Sequence, residues 1–403
     1  EGGGTGVQAG ATTDGIPERR YRPELHGLRG LAILLVVLFH LFGGGRVSGG
    51  IDVFLAISGF LFTGMLLREA ATTGRVAPVA YLGRLARRLL PAMVAVVVTV
   101  TALGLLVLPS GRHIALLREA AASVLYLENW ELINSQLEYE AAGASTSAFQ
   151  HIWSLSVQGQ FYLLWPVLTV LTVLVARRVG LAPGRAMMVT TALVAAVSFP
   201  FAVLLHQSDQ ANAYLNTGTR LWELAVGAML ALVGPHVLPR VVRPVTGWIG
   251  VALIVSCGLV LDGGALFPGP WALWPLGGFV LIMLSEHPGR WGVTEVLQLR
   301  PFAWIGDISY ALYLWHWPLL ILWLAHRGAS SVGYLEAAGL LAVSVLLAQL
   351  TLRLVERPTT AGLGRRPALA GLAGAAVVAV VAAPTALKSS MSPATSEIGR
   401  AHV

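Results

Sequence analysis

Apolar residues run in stretches long enough to cross a bilayer along nearly the whole chain, broken by short polar turns. The stretches fall near 28–44, 50–68, 88–109, 153–176, 186–206, 219–234, 246–262, 271–285, 304–325, 333–355 and 367–386. A helix needs roughly 20 apolar residues to cross the hydrocarbon core, so the pattern predicts an all-α, polytopic transmembrane helical bundle with ten core helices plus one appended helix. Segment 113–131 has the helical apolar period too, but it carries Arg118 and Glu119 at its middle and ends in Glu128, Asn129 and Trp130. Adjacent charges are costly at mid-membrane, so this segment reads as an interfacial or re-entrant helix rather than a span.

Composition points the same way and excludes an ordinary soluble enzyme. Apolar residues make up 56% of the chain and charged residues 12%, against roughly 25% charged in an average soluble domain; the mean hydropathy is +0.71. The net charge of +7 comes from 27 basic residues scattered between the spans. A nucleic-acid partner would need them gathered in one basic domain, so none is expected. All but one of the 27 are Arg, a usage that fits a high-GC bacterial genome. Cys257 is the only cysteine, which excludes an intrachain disulfide and a cysteine metal cluster. No metal is expected.

The arginines orient the bundle, because loops rich in Lys and Arg stay in the cytoplasm. With eleven spans and a cytoplasmic start, the sets near Arg19, Arg88, Arg178, Arg243, Arg290 and Arg365 all fall inside, 20 of the 27 in total. If 113–131 crossed the membrane, every later loop would invert and the bias would vanish. The expected organisation is a flexible cytoplasmic N-terminal segment at 1–20, a principal transmembrane domain at 21–360, an additional helix at 361–386 and an extracytoplasmic tail at 387–403. Residues 1–16 show no cleavable signal, and the native N-terminus is expected upstream of Glu1. The acidic, small-residue stretch 138–147 reads as part of an extracytoplasmic lid.

Few ionisable groups lie within the spans, and those few are the candidates for chemistry. His40 follows Arg29 by eleven residues, three helical turns plus about 20°, so both lie on one face roughly 16 Å apart along the axis. Asp52 sits at the outer end of the second helix, where a carboxylate can orient the imidazole. Arg84, Arg87 and Arg88 align on the third helix, and guanidinium forks suit phosphate oxygens. His151, Trp153, Gln158 and Tyr162 open the helix after the external segment, Arg220 and Glu223 form an i, i+3 pair, and Tyr313 and His316 lie in a dense polar and aromatic run. Each has a structural alternative: an interfacial belt for the aromatics, a local ion pair for Glu223, the positive-inside rule for the arginines.

In order along the chain these segments resemble the membrane acyltransferase 3 family over about 22–360. The matching pieces are Arg22-Pro23-Glu24 with Gly27-Leu28-Arg29 and His40; Gly50-x-Asp52-Val53-Phe54 with Ile57-Ser58-Gly59-Phe60; Arg84-x-x-Arg87-Arg88-x-x-Pro91; His151-x-Trp153-Ser154-Leu155 with Gln160-Phe161-Tyr162; Arg220-x-Trp222-Glu223; Ser309-Tyr310 through Trp315-His316-Trp317-Pro318; and Val355-Glu356-Arg357-Pro358. The resemblance implies a bacterial inner-membrane O-acyltransferase moving an acyl group from cytoplasmic acyl-CoA to a hydroxyl of an extracytoplasmic envelope glycan or glycolipid. Acetyl-CoA is the default donor and succinyl-CoA an alternative. An appended helix is typical of members fused to an extracytoplasmic SGNH domain, which implies that 387–403 is where such a domain was cut away or lost. Two positions depart from the family's usual pattern. Position 158 is Gln where Glu is common, so no proton-transfer role carries over to it, and position 26 is His where Asp is common.

Physics and resemblance meet at the first helix. Arg29, Arg84, Arg87 and Arg88 are expected to hold the coenzyme A nucleotide, with its arm running toward His40. The imidazole, oriented by Asp52, is expected to act as general base on the acceptor hydroxyl, with a covalent acyl intermediate on His40 as the variant. The rival reading is a transporter or flippase for a lipid-linked glycan, with the same residues lining its path.

Overall fold

The computed structural model describes residues 22–43, 46–135, 145–233, 238–285 and 292–360, and these contain helices and no strand. In chain order the helices are α1 (Glu24–Phe42), α2 (Gly50–Thr73), α3 (Pro78–Val107), α4 (His113–Val124), α5 (Glu128–Asn134), α6 (Trp153–Arg178), α7 (Pro183–Ser208) and α8 (Gln210–Leu215). There follow α9 (Thr217–Leu230), α10 (Arg243–Val260), α11 (Gly263–Leu266), α12 (Leu273–Leu284), α13 (Val293–Leu297), α14 (Arg300–Arg327), α15 (Tyr334–Thr351) and α16 (Arg357–Thr360). The helical bundle is therefore as expected.

Among the described residues eight helical stretches are long and apolar enough to cross a membrane. They correspond to eight of the expected spans. The expected spans at 219–234 and 271–285 are shorter helices, α9 and the stretch Pro270–Leu284. The appended span 361–386, the tail 387–403, the N-terminal segment and most of 138–147 lie outside the described residues.

Prolines sit inside α3 (Pro91), α6 (Pro166), α7 (Pro200) and α14 (Pro318). In a bilayer such positions are tolerated because neighbouring helices re-satisfy the freed carbonyls. α14 is the most enclosed spanning helix, and its principal partners are α1 and α15, while α9 packs on both α2 and α7. Glycines permit the closest of these contacts: a Cβ on Gly59 would collide with the Leu224 carbonyl, and one on Gly227 with that of Ala56. The small residues of α2 are thus a packing surface for α9.

Segment 113–131 folds as a hairpin of two short helices. The turn between them is pinned inside the bundle by the Glu128 amide, which donates to Ser156 Oγ at 3.1 Å, and by the Tyr126 carbonyl, which accepts from Gln160 Nε2 at 2.9 Å. Tyr126 holds a left-handed φ of 58° there and packs where a Cβ on Gly159 would stand. The charged residues of the segment, which reads as interfacial or re-entrant, find protein partners. Glu119 is buried against Ser147 Oγ at 2.6 Å, and Arg118 pairs with Glu131 at 3.4 Å.

Candidate active site

Two polar centres lie along the same three helices. The first is a cavity of about 440 Å³ whose wall includes His26 and Arg29 of α1, Arg88 of α3, Leu155, Gln158 and Tyr162 of α6, Asp307 and Tyr310 of α14, and Glu356 and Arg357 at the end of the chain's last described stretch. That size suits a small-molecule ligand. Arg29 is held in place by its bond to Ser309 Oγ at 3.2 Å and by the Phe54 ring, 5.5 Å from its guanidinium carbon. Gln158 accepts a bond from Tyr162 at 3.0 Å, and the Tyr162 hydroxyl also meets Ser58 Oγ at 3.3 Å. A short π-helical segment, Leu352–Glu356, carries Glu356 into this wall, a distortion that often accompanies functional sites.

The second centre is a cluster of imidazoles further along α1 and α14, beside the start of α6. His40 Nδ1 and His316 Nε2 stand 2.9 Å apart. His316 Nδ1 faces the carbonyls of Leu312 at 3.1 Å and Tyr313 at 2.8 Å. Trp317 packs on the edge of the His40 ring, with centroids 4.8 Å apart, and its indole donates to the Ser147 carbonyl at 3.0 Å. His151 is buried against Tyr313 and His316, and the Tyr313 hydroxyl donates to the His151 carbonyl at 2.5 Å and meets Ser154 Oγ at 2.8 Å. Pro318 has no amide to give to Leu314, so a carbonyl of α14 is released beside this cluster.

Sequence reasoning grouped these residues only partly as they are found. Of the four arginines expected to share one ligand, Arg29 and Arg88 line the cavity. Arg84 instead pairs with Glu69 at 3.5 Å, and Arg87 points to the exposed surface of α3. Asp52, expected to orient His40, meets Arg220: Oδ1 accepts from Nη1 at 3.1 Å, and the same nitrogen donates to Glu223 Oε1 at 3.0 Å. A buried carboxylate gains far more from a guanidinium than from a neutral imidazole, which accounts for the exchange of partner. The Trp153 and Tyr214 rings, packed against each other with centroids 5.1 Å apart, flank that guanidinium from one side, 5.0 and 4.7 Å from its carbon. Asp52, Arg220 and Glu223, with Trp153 packed against the guanidinium, therefore form an interior ion cluster tying α2, α6 and α9 together.

Several wall residues were not picked out beforehand. Tyr126 carries no sequence signal, since neither charge nor spacing marks it, and Ser58 stood only as a small residue within a family-like piece. Glu356 and Arg357 did carry one, as part of the family-like piece Val355-Glu356-Arg357-Pro358, but their distance in sequence from Arg29 hid the shared cavity.

A family model described as an acyltransferase domain matches residues 22–353. The chain is 35% identical over 379 residues to a putative membrane-bound transacylase, BcsY, of Komagataeibacter xylinus, covering 91% of this chain and 89% of that protein. It is 27% identical over 353 residues to the O-acetyltransferase OatA of Staphylococcus aureus, covering 84% of this chain and 57% of that protein. It is 29% identical over 361 residues to a putative peptidoglycan O-acetyltransferase, YrhL, of Bacillus subtilis, covering 84% and 55%. The chain thus spans little more than half the length of the latter two relatives. No solved structure matches it.

Proposed function

The chain belongs to the acyltransferase family that its residues 22–353 match, and on that premise we propose that it moves a short acyl group, acetyl or succinyl, from acyl-CoA to a hydroxyl of an envelope glycan or glycolipid. The observation that carries this reading is the sharing of helices between the two centres. α1 and α14 each contribute first to the arginine-bearing cavity and then to the imidazole cluster, while α6 meets the cluster at Ser154 before it lines the cavity with Gln158 and Tyr162. Tyr310 and His316 are six residues apart on α14, roughly 9 Å, and Arg29 and His40 roughly 16 Å. A donor with phosphates at one end and a thioester at the end of a flexible arm suits that layout.

Arg29 and Arg88 hold the donor's phosphates through charge-assisted bonds. Its arm extends along α1 and α14, which brings the thioester carbonyl beside His40. The imidazole takes the proton of the acceptor hydroxyl as the oxygen bonds to the carbonyl carbon, and the carbon–sulfur bond then breaks. The proton passes from the imidazole to the departing thiolate, which balances the step. Gln158 takes no proton, because an amide does not titrate, and serves only to hold Tyr162. The cavity's basic residues lie in segments that the positive-inside rule assigns to the cytoplasm, so the donor enters from the cytoplasmic face of the inner membrane, with the N-terminus on that side. The names of OatA and YrhL, an O-acetyltransferase and a putative peptidoglycan O-acetyltransferase, support a glycan hydroxyl as acceptor.

The test uses the full chain in proteoliposomes, supplied with labelled acetyl- and succinyl-CoA on one side and envelope glycan on the other. Label should reach the glycan with the wild-type chain and should not with His40→Ala. Glycan movement without thioester turnover would overturn the acyl-transfer reading in favour of a transporter.

A further inference from the structure

His316 Nδ1 lies within bonding distance of two backbone carbonyl oxygens. Those oxygens can only accept, so Nδ1 carries a hydrogen, and in a neutral imidazole the other nitrogen then holds a lone pair. That nitrogen, Nε2, is the one 2.9 Å from His40 Nδ1. His40 Nδ1 must therefore be the donor of the bond. The ring planes differ by only 6° and the centroids are 5.2 Å apart. The centroids are separated by more than the nitrogens by about one ring width, so the rings lie edge to edge in one plane and the lone pair points along the N–H.

From this geometry we propose that His316 is a positioning residue that fixes His40 in the Nδ1–H tautomer, leaving Nε2 as the atom that receives the acceptor's proton. The proposal rests on the acyl-transfer reading above. His316 is fully buried, and Trp317, anchored on the Ser147 carbonyl, closes one side of the His40 ring, so neither imidazole is free to turn. When Nε2 takes the proton, His40 becomes an imidazolium and the Nδ1–H bond to His316 turns charge-assisted and stronger. The partner thus acts more on the transition state than on the resting site. A neutral imidazole does so without the desolvation penalty of a carboxylate buried in the bilayer, whereas Asp52 is held by Arg220.

The deciding measurement is the 15N spectrum of histidine-labelled full-length protein in lipid bilayers, with His40 assigned by its loss in His40→Gln. A protonated Nδ1 coupled across the hydrogen bond to an unprotonated His316 Nε2 is expected; a wild-type His40 protonated at Nε2 overturns the proposal. Kinetics supply the second readout. His316→Phe should lower kcat by about 10²- to 10³-fold with the donor KM unchanged, and His316→Gln, whose amide oxygen can accept from Nδ1, should recover at least part of that loss. Full kcat in His316→Phe also overturns it. The spectrum decides the tautomer even where the variant does not fold or where no acyl transfer is found, so failure of the functional reading is separable from failure of this one.

Discussion

Arg220 on α9 and Asp52 in the first turn of α2 are joined at 3.1 Å in the interior of the bundle, both essentially inaccessible to solvent. The guanidinium also answers Glu223, the Tyr214 carbonyl and two aromatic faces, so one cation holds two carboxylates out of water. Removing one partner of a buried pair typically costs about 3–5 kcal/mol, because the charge left behind has nothing to offset its desolvation. Arg220→Met should destabilise the chain by that order, and Arg220→Lys by most of it, since an ammonium cannot stack and fork at once. Asp52→Asn, which leaves Glu223 in place, should cost less and leave kcat of the folded fraction largely intact. Thermal denaturation in detergent, alongside turnover, measures both; a Asp52→Asn variant of full stability but no turnover would assign Asp52 to the chemistry instead.

The cavity separates the arginines that sequence spacing had grouped. Arg29 and Arg88 line it, while Arg84 is engaged by Glu69. A hydrogen bond to a charged group contributes about 1.5–3 kcal/mol, so Arg29→Ala or Arg88→Ala should each raise the KM for acyl-CoA by roughly 10-fold or more, and Arg84→Ala by less than about 3-fold. Steady-state kinetics with varied donor check this ordering. An effect of Arg84→Ala equal to that of Arg88→Ala, with Arg29→Ala near wild type, would mean that the phosphates sit along α3 rather than in the cavity.

Much of this was legible in the sequence because the bilayer is an exacting solvent. Length and apolarity of a run decide whether a helix spans, and Glu119 with Arg118 was enough to keep 113–131 out of that set. Ionisable residues within spans were equally visible: His40, Arg29, Arg220 and Glu223 all prove to be at the two polar centres or in the ion cluster. Their partners were not visible. Which carboxylate meets which cation depends on how α2 leans on α9, and that is fixed by Gly59 and Gly227, two small residues whose contacts join positions far apart in the chain. His316 lay in an aromatic run where no single residue stood out, so its pairing with His40 emerged only when α1 and α14 were seen side by side.

That glycine contact is itself testable. A side chain at Gly59 would be driven into the Leu224 carbonyl, which belongs to helix backbone and cannot move alone. Gly59→Val should separate α2 from α9, breaking the Asp52–Arg220 pair, and cost more than the 1–3 kcal/mol typical of overpacking. Gly83 on α3 is the control, since a Cβ there has no neighbour within 4 Å. Size-exclusion profiles in detergent should show loss of folded protein for Gly59→Val and none for Gly83→Val.

The α4–α5 hairpin should loosen as pH rises. Burial pushes the Glu119 carboxyl up to about 7, with the Ser147 hydroxyl opposing the shift only in part, and burial likewise raises Glu128 well above the usual carboxylate range. With a folded pKa above the unfolded one, the native hairpin binds more protons than the unfolded chain between about pH 4.5 and 7. Its stabilisation is therefore complete below that window and is lost as pH climbs through it; for Glu119 the span corresponds to an order of 3 kcal/mol. Hydrogen exchange across 113–134 should show weaker protection at pH 8 than at pH 5. Glu119→Gln should flatten the change, because an amide keeps the bond to Ser147 and has no proton to lose. Protection that rises with pH, or a dependence untouched in Glu119→Gln, would remove the carboxyl from the account.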